Sequence, residues 1–207
     1  MASPTSARIT LRAPTPDDAV PFLALVQASA ALHHPWVVAP DTPAAFHAYV
    51  ARAGQEHDLF PGHVCRLVCR TADGAVVGAA NLNHVVWGGL RCASLGYYGF
   101  APYEGHGYVR EGVTHLLTHG FHDTGLHRVE AAVQADNDRS RALLAALGFR
   151  HEGDSPRYMH LGGRWRDHER WAITAEEWRP PLARAPRRRP KAGPSGGRPS
   201  AERILGP

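Results

Sequence analysis

Between Leu95 and Phe121 an apolar strand runs into Tyr103-Glu104-Gly105-His106-Gly107-Tyr108 and from there straight into an amphipathic helix. No other stretch limits the possible folds as strongly. The apolar residues Val109, Val113, Leu116, Leu117 and Phe121 recur at helical spacing, so the helix must begin directly after the glycines. Its first turn carries backbone N–H groups without intrahelical partners and the positive end of the helix dipole. Gly105 and Gly107 let an anion approach the backbone with no Cβ in the way. The combination predicts a pyrophosphate cradle in an α/β chain. Two common cradles are excluded. There is no Gly-Lys-Ser/Thr ending of a P-loop, and Arg110 stands where a dinucleotide fingerprint needs its third glycine.

After the helix come an alternating segment, Leu126-His127-Arg128-Val129-Glu130-Ala131-Ala132-Val133, then Asp136-Asn137-Asp138-Arg139-Ser140, a second helix, and Leu147-Gly148-Phe149. In this order the parts resemble the GNAT acetyltransferase superfamily, over residues 8 to about 179. In that family the loop reads Gln/Arg-x-x-Gly-x-Gly/Ala, and an Asn-x-x-Ser segment follows the next strand. Asn137 to Ser140 matches the second motif in full. The first is matched in part, with Glu104 at the Gln/Arg position and Val109 at the final small position. A carboxylate beside a pyrophosphate is repulsive unless it points outward or bonds the loop. Near the C-terminus, Tyr158-Met159-His160-Leu161-Gly162-Gly163-Arg164-Trp165-Arg166-Asp167-His168 is similar to the hairpin of the RimJ/RimL-type branch, whose members acetylate the N-termini of ribosomal proteins.

The resemblance implies a GNAT fold: a twisted, mostly antiparallel sheet of about seven strands flanked by helices, with splayed central strands binding acyl-CoA. It also implies acetyl-CoA as cosubstrate. Tyr98, Gly99 and Phe100 map to the strand whose backbone groups bond the pantetheine arm, and Glu104, Gly105, His106, Gly107, Tyr108 and Val109 to the pyrophosphate loop. His106 stands where relatives often carry Lys or Arg; were it to point at phosphate, the nearby negative charge would favour its protonated form. Asn137 carries a cofactor contact together with an N-cap role. Ser140 matches the hydroxyl that meets the departing sulfur and is the candidate general acid; a first-turn serine bonding nearby backbone is the alternative.

The proton acceptor for the attacking amine is less defined, because Met159 stands where some relatives place a glutamate. His84 is a substitute by chemistry, since imidazole titrates near neutral pH and Asn81-Leu82-Asn83-His84 would border the acceptor groove. Asn83, Trp36 and Tyr97 are the candidate acceptor contacts. Trp36 lies in the segment Leu32 to Val37 that walls the acceptor site in this family. The implied reaction is acetylation of a protein N-terminal amine beginning with Ala or Ser. A small-amine acetyltransferase and a non-catalytic acyl-CoA-binding module are the alternatives.

The remaining pattern supplies the frame. Arg8 to Arg12 alternates as a first strand, and Thr15-Pro16-Asp17-Asp18 and Thr42-Pro43 are helix starts. Strands follow at about 63 to 70, 75 to 86 and 91 to 100, then 127 to 134, 150 to 161 and 164 to 173. Fourteen histidines invite a metal reading, but His115, His119 and His122 fall on the outer helix face with no carboxylate or cysteine to complete a set, so no metal is expected. Cys65, Cys69 and Cys92 form no CxxC pair and read as reduced thiols. No apolar run approaches the roughly 20 residues of a membrane span, and Met1 to Ala7 lacks a signal pattern, so a cytoplasmic monomer or homodimer is expected. The net charge of +4 is uneven. Seven Lys/Arg and one acid fall between Arg184 and Pro207, leaving 16 basic and 18 acidic residues elsewhere. A domain at 1–182 followed by a basic, Pro/Gly/Arg-rich, disordered tail at 183–207 is the organisation this predicts. Such a tail could contact ribosomal RNA by counterion release or serve only solubility.

Overall fold

The computed structural model describes residues 7–55 and 61–180; the expected basic tail lies outside them. Seven strands, β1 Ile9–Arg12, β2 Val64–Arg70, β3 Val76–Val86, β4 Cys92–Gly99, β5 Arg128–Val133, β6 Arg150–Leu161 and β7 Arg164–Thr174, build one sheet in the order β1-β2-β3-β4-β5-β7-β6. Every neighbouring pair is antiparallel except β4 and β5. A parallel pair needs a crossover, which the helix after the glycine loop provides. The helices are α1 Ala19–Ala28, α2 Ala30–His33, α3 Pro43–Gly54, α4 Tyr108–Thr118 and α5 Asp138–Ala146.

Alternation along the strands assigns the two faces. Val68, Val77 and Leu82 join Val113, Leu116 and Leu144 in one core beneath α4 and α5. Cys65, Leu67 and Cys69 join Phe22, Phe46 and Tyr49 in a second core beneath α1 and α3. Cys92 is half-buried, and all three cysteines are free thiols. Both predicted helix starts have a local cause. Thr15 caps a short 3-10 turn whose Asp18 carboxylate accepts from the Thr15 amide at 2.8 Å and from Arg12 at 2.6 Å. The Thr42 hydroxyl accepts from the Ala45 amide at 3.2 Å and opens α3. On α4 and the π turn that continues it, His115 and His122 are exposed, whereas His119 is half-buried with Nδ1 2.8 Å from the Asp123 carboxylate.

Two close approaches seat α4 on the sheet. A Cβ at Gly112 would lie 2.6 Å from a Val68 methyl, and one at Gly99 would lie 2.9 Å from a Val109 methyl. The glycines let the helix sit nearer the strands than any side chain would allow, which sets the height of the loop at its N-terminus. Gly112→Ala should therefore lower unfolding free energy by about 1–3 kcal/mol through overpacking, read as a reduced midpoint in urea denaturation.

Candidate functional site

The site starts where the sheet divides. Pairing between β4 and β5 ends at Ser94 opposite Glu130, although β4 continues to Gly99 and β5 to Val133. On β4 the Phe100 N–H donates to the Val77 carbonyl at 3.2 Å, so the amides of residues 100, 98 and 96 face β3 by alternation. Those of Tyr97 and Gly99 face the gap. The expected backbone edge is thus shifted by one residue. Phe100 spends its amide on β3 and buries its ring completely, and the Tyr98 ring is buried in the second core with no hydrogen-bond partner for its hydroxyl. Tyr97 and Gly99 carry the open edge.

A cleft of about 840 Å³ occupies this gap. At one end it meets the glycine loop. Gly107 caps α4 at φ 78°, a left-handed conformation that side chains resist, and so turns the first-turn amides toward the cleft. The loop is braced from outside: Arg8 donates to the His106 carbonyl at 3.1 Å, pairs with Glu111, and lies 5.2 Å over the Tyr108 ring. His106 is held within the loop. Its Nδ1 lies 2.9 Å from the Glu104 carbonyl, and its ring stacks on Tyr108 at 5.5 Å, so it stiffens the loop by its own contacts. Glu104 is reconciled with an anion cradle by an ion pair with Arg139, from the Asn-x-x-Ser segment across the cleft mouth.

Where α5 begins, Asn137 Oδ1 accepts from the Ser140 amide at 3.1 Å, an N-cap that fixes the serine in the first turn. The Ser140 hydroxyl is 2.6 Å from the Tyr97 hydroxyl. Burial pushes the Tyr97 phenol up to about 12, partly offset by the bond to Ser140. Tyr97, read from the sequence as an acceptor contact, therefore holds a second neutral O–H behind Ser140 through the neutral pH range. Two hydroxyls in series can relay a proton to a group seated in the cleft.

The other end of the cleft is lined by Trp36, Val37 and Val38 ahead of α3 and by Met159 and Leu161 of the β6–β7 hairpin. Gln134 at the end of β5 ties this wall down by donating to the Pro35 carbonyl at 3.1 Å. Trp36 and Asn83 are half-buried in the lining. His84 is exposed at the rim, in a bulge of β3 at φ 50°, with the His63 ring 5.9 Å away. Burial holds the His63 imidazole below its ordinary value. Two residues not anticipated from the sequence also line the cleft. His33 is buried with Nε2 donating to the Gly99 carbonyl at 2.8 Å, and His168 is buried on β7.

A divided central sheet, an amide cradle at a helix start and a hydroxyl pair at the next helix define an acyl-thioester-handling α/β site. The chain belongs to the GNAT family: residues 8–150 match the family described as Acetyltransferase (GNAT) domain. It is 35% identical over 105 residues to the [Ribosomal protein uS5]-alanine N-acetyltransferase of Escherichia coli, a match covering 51% of this chain and 54% of that one. The chain thus spans about half the length of the curated relatives it matches. Mycobacterium smegmatis RimJ in complex with CoA-disulfide superposes with a TM-score of 0.74 at 30% identity, covering 82% of this chain and 83% of that one. A variant of the spermidine N-acetyltransferase SpeG from Vibrio cholerae shares the fold at a TM-score of 0.65 and 19% identity, covering 82% and 95%. Among the described residues, no helix is long and apolar enough to cross a membrane.

The Glu104–Arg139 pair makes a prediction about charge at the cleft mouth. Glu104→Gln removes the internal competitor for the guanidinium, so inorganic pyrophosphate should bind about threefold more tightly by calorimetry. The gain should shrink as salt is raised.

Proposed function

We propose that the protein transfers acetyl from acetyl-CoA to the N-terminal α-amine of a polypeptide beginning with Ala or Ser. The pyrophosphate rests on the amides of the α4 first turn between Gly105 and Val109, and the pantetheine arm bonds the Tyr97 and Gly99 edge of β4. The thioester lies in the β4–β5 gap. Attack by the neutral amine nitrogen on the thioester carbonyl carbon forms the C–N bond and a tetrahedral oxyanion; the amine proton passes to a base, and the C–S bond breaks with loss of coenzyme A as a thiolate. Ser140 Oγ protonates that sulfur, and Tyr97 replenishes Ser140.

The composition of the acceptor wall carries the choice of substrate. Its lining includes the apolar or amide-bearing side chains of Trp36, Val37, Val38, Met159, Asn83 and Gln134, together with the imidazoles of His33, His84 and His168. Among the described residues the one carboxylate of the cleft lining, Glu104, sits at the donor end and is paired with Arg139. A polyamine needs anionic partners for its further ammonium groups, whereas a peptide N-terminus presents one amine followed by amides and a small side chain. The similarity to the uS5-alanine enzyme points the same way.

The test is thiol release from acetyl-CoA with short peptides starting in Ala or Ser, set against spermidine and simple amines. Peptide-dependent release supports the reading; release only with small amines overturns its substrate. With the preferred acceptor, Ser140→Ala should lower kcat by about a hundredfold, with acetyl-CoA affinity within about twofold. Gly107→Val, strained in the left-handed region, should weaken acetyl-CoA binding about tenfold or more in a variant of unchanged circular dichroism. Removing residues 184–207 should leave turnover of short peptides unchanged, because every residue named in the reaction lies before Pro180.

A further inference from the structure

We propose that His168 is the group that takes the proton from the attacking amine, an assignment that rests on the acetyltransferase reading above. His168 lies on β7 in the Arg166-Asp167-His168 segment, is 3% exposed, and lines the cleft. Its Nδ1 is 3.0 Å from the Arg166 carbonyl. A carbonyl can only accept, so Nδ1 carries the hydrogen and the neutral ring presents the lone pair of Nε2. Nε2 has no hydrogen-bond partner among the described residues, and the residue lines the cleft. The Tyr158 ring meets the imidazole edge-on at 5.9 Å and is itself held under Arg170, which limits rotation. A fixed tautomer with an open distal nitrogen facing a cleft is the arrangement a general base requires.

The faces of the sheet set its role. On β7 the neighbouring Glu169 bonds Arg141 of α5 at 3.1 Å, on the side that also holds the Ser140–Tyr97 pair. By alternation His168 points to the opposite side, where Gln134 reaches Pro35 and where Trp36 and Val37 wall the cleft. The leaving sulfur and the incoming amine thus meet the carbonyl carbon from opposite faces. As the C–N bond forms, the amine hydrogen passes to His168 Nε2. As the C–S bond breaks, the sulfur takes the Ser140 proton. Solvent then accepts the proton from the imidazolium and returns one to the Tyr97–Ser140 pair, so charge and protons balance.

The other cleft histidines suit the role less well. The distal nitrogen of His33 is spent on Gly99, and His84 stands at the exposed rim.

The decisive variant is His168→Asn, whose side-chain amide keeps a donor for the Arg166 carbonyl while removing the base. Using whichever acceptor the wild type turns over, kcat should fall about a hundredfold or more with acetyl-CoA affinity within about twofold. His168→Ala should regain activity as free imidazole is added, which a packing role would not permit. His168→Gln provides the same comparison if the Asn variant does not fold. Turnover within about threefold of wild type in a folded Asn or Gln variant, or loss without imidazole rescue in the Ala variant, overturns the assignment. Wild-type activity confined to small amines would overturn the peptide reading while the His168 comparison still stands. A wild type that acetylates no acceptor would overturn both.

Discussion

The early end of pairing between β4 and β5 is the constraint on which the site depends. Two parallel strands that continued in register would consume the Tyr97 and Gly99 amides in a ladder and close the sheet. Because they part after Ser94 and Glu130, those groups open onto a cleft, where a ligand or solvent must satisfy them. The gap is held open from both ends. His33 occupies the Gly99 carbonyl, Gln134 reaches across to Pro35, and Val109 presses against Gly99.

Electrostatics at the cleft are arranged by pairing more than by net charge. The cradle contains a glutamate, which would oppose an anion if it stood alone, but Arg139 neutralises it from the neighbouring motif. Arg8 neutralises Glu111 in the first turn of α4 and braces the loop through a carbonyl. Positive potential at the mouth therefore comes from backbone amides and from guanidinium groups whose partners can be exchanged.

Much of this architecture was legible in the sequence because its causes are local. Thr15, Thr42 and Asn137 announce helix starts through chemistry contained within four residues, and strand alternation located all seven strands within a residue or two. The loop glycines were legible for the same reason, and Ser140 through the resemblance of the Asn137 to Ser140 segment to a family motif. Long-range contacts were not. Which amides of β4 face the gap depends on its register with β3, and a shift of one residue exchanges Phe100 and Tyr98 for Gly99 and Tyr97. The Tyr97–Ser140 and Glu104–Arg139 contacts join segments 43 and 35 residues apart. Among fourteen histidines, nothing adjacent in sequence distinguishes His168; its burial and its carbonyl partner do.

The division of labour between the two faces has a consequence for how such a chain can change. The glycine loop, the open edge of β4 and the Ser140 hydroxyl form one part of the cleft, whereas Trp36, Met159 and Leu161 enter it from the segment before α3 and from the β6–β7 hairpin. Mutations that reshape Trp36 or Met159 leave the glycine loop and the Tyr97–Ser140 hydroxyl pair untouched. Selection can thus remodel one wall of the cleft at a time, with the opposite wall inherited intact.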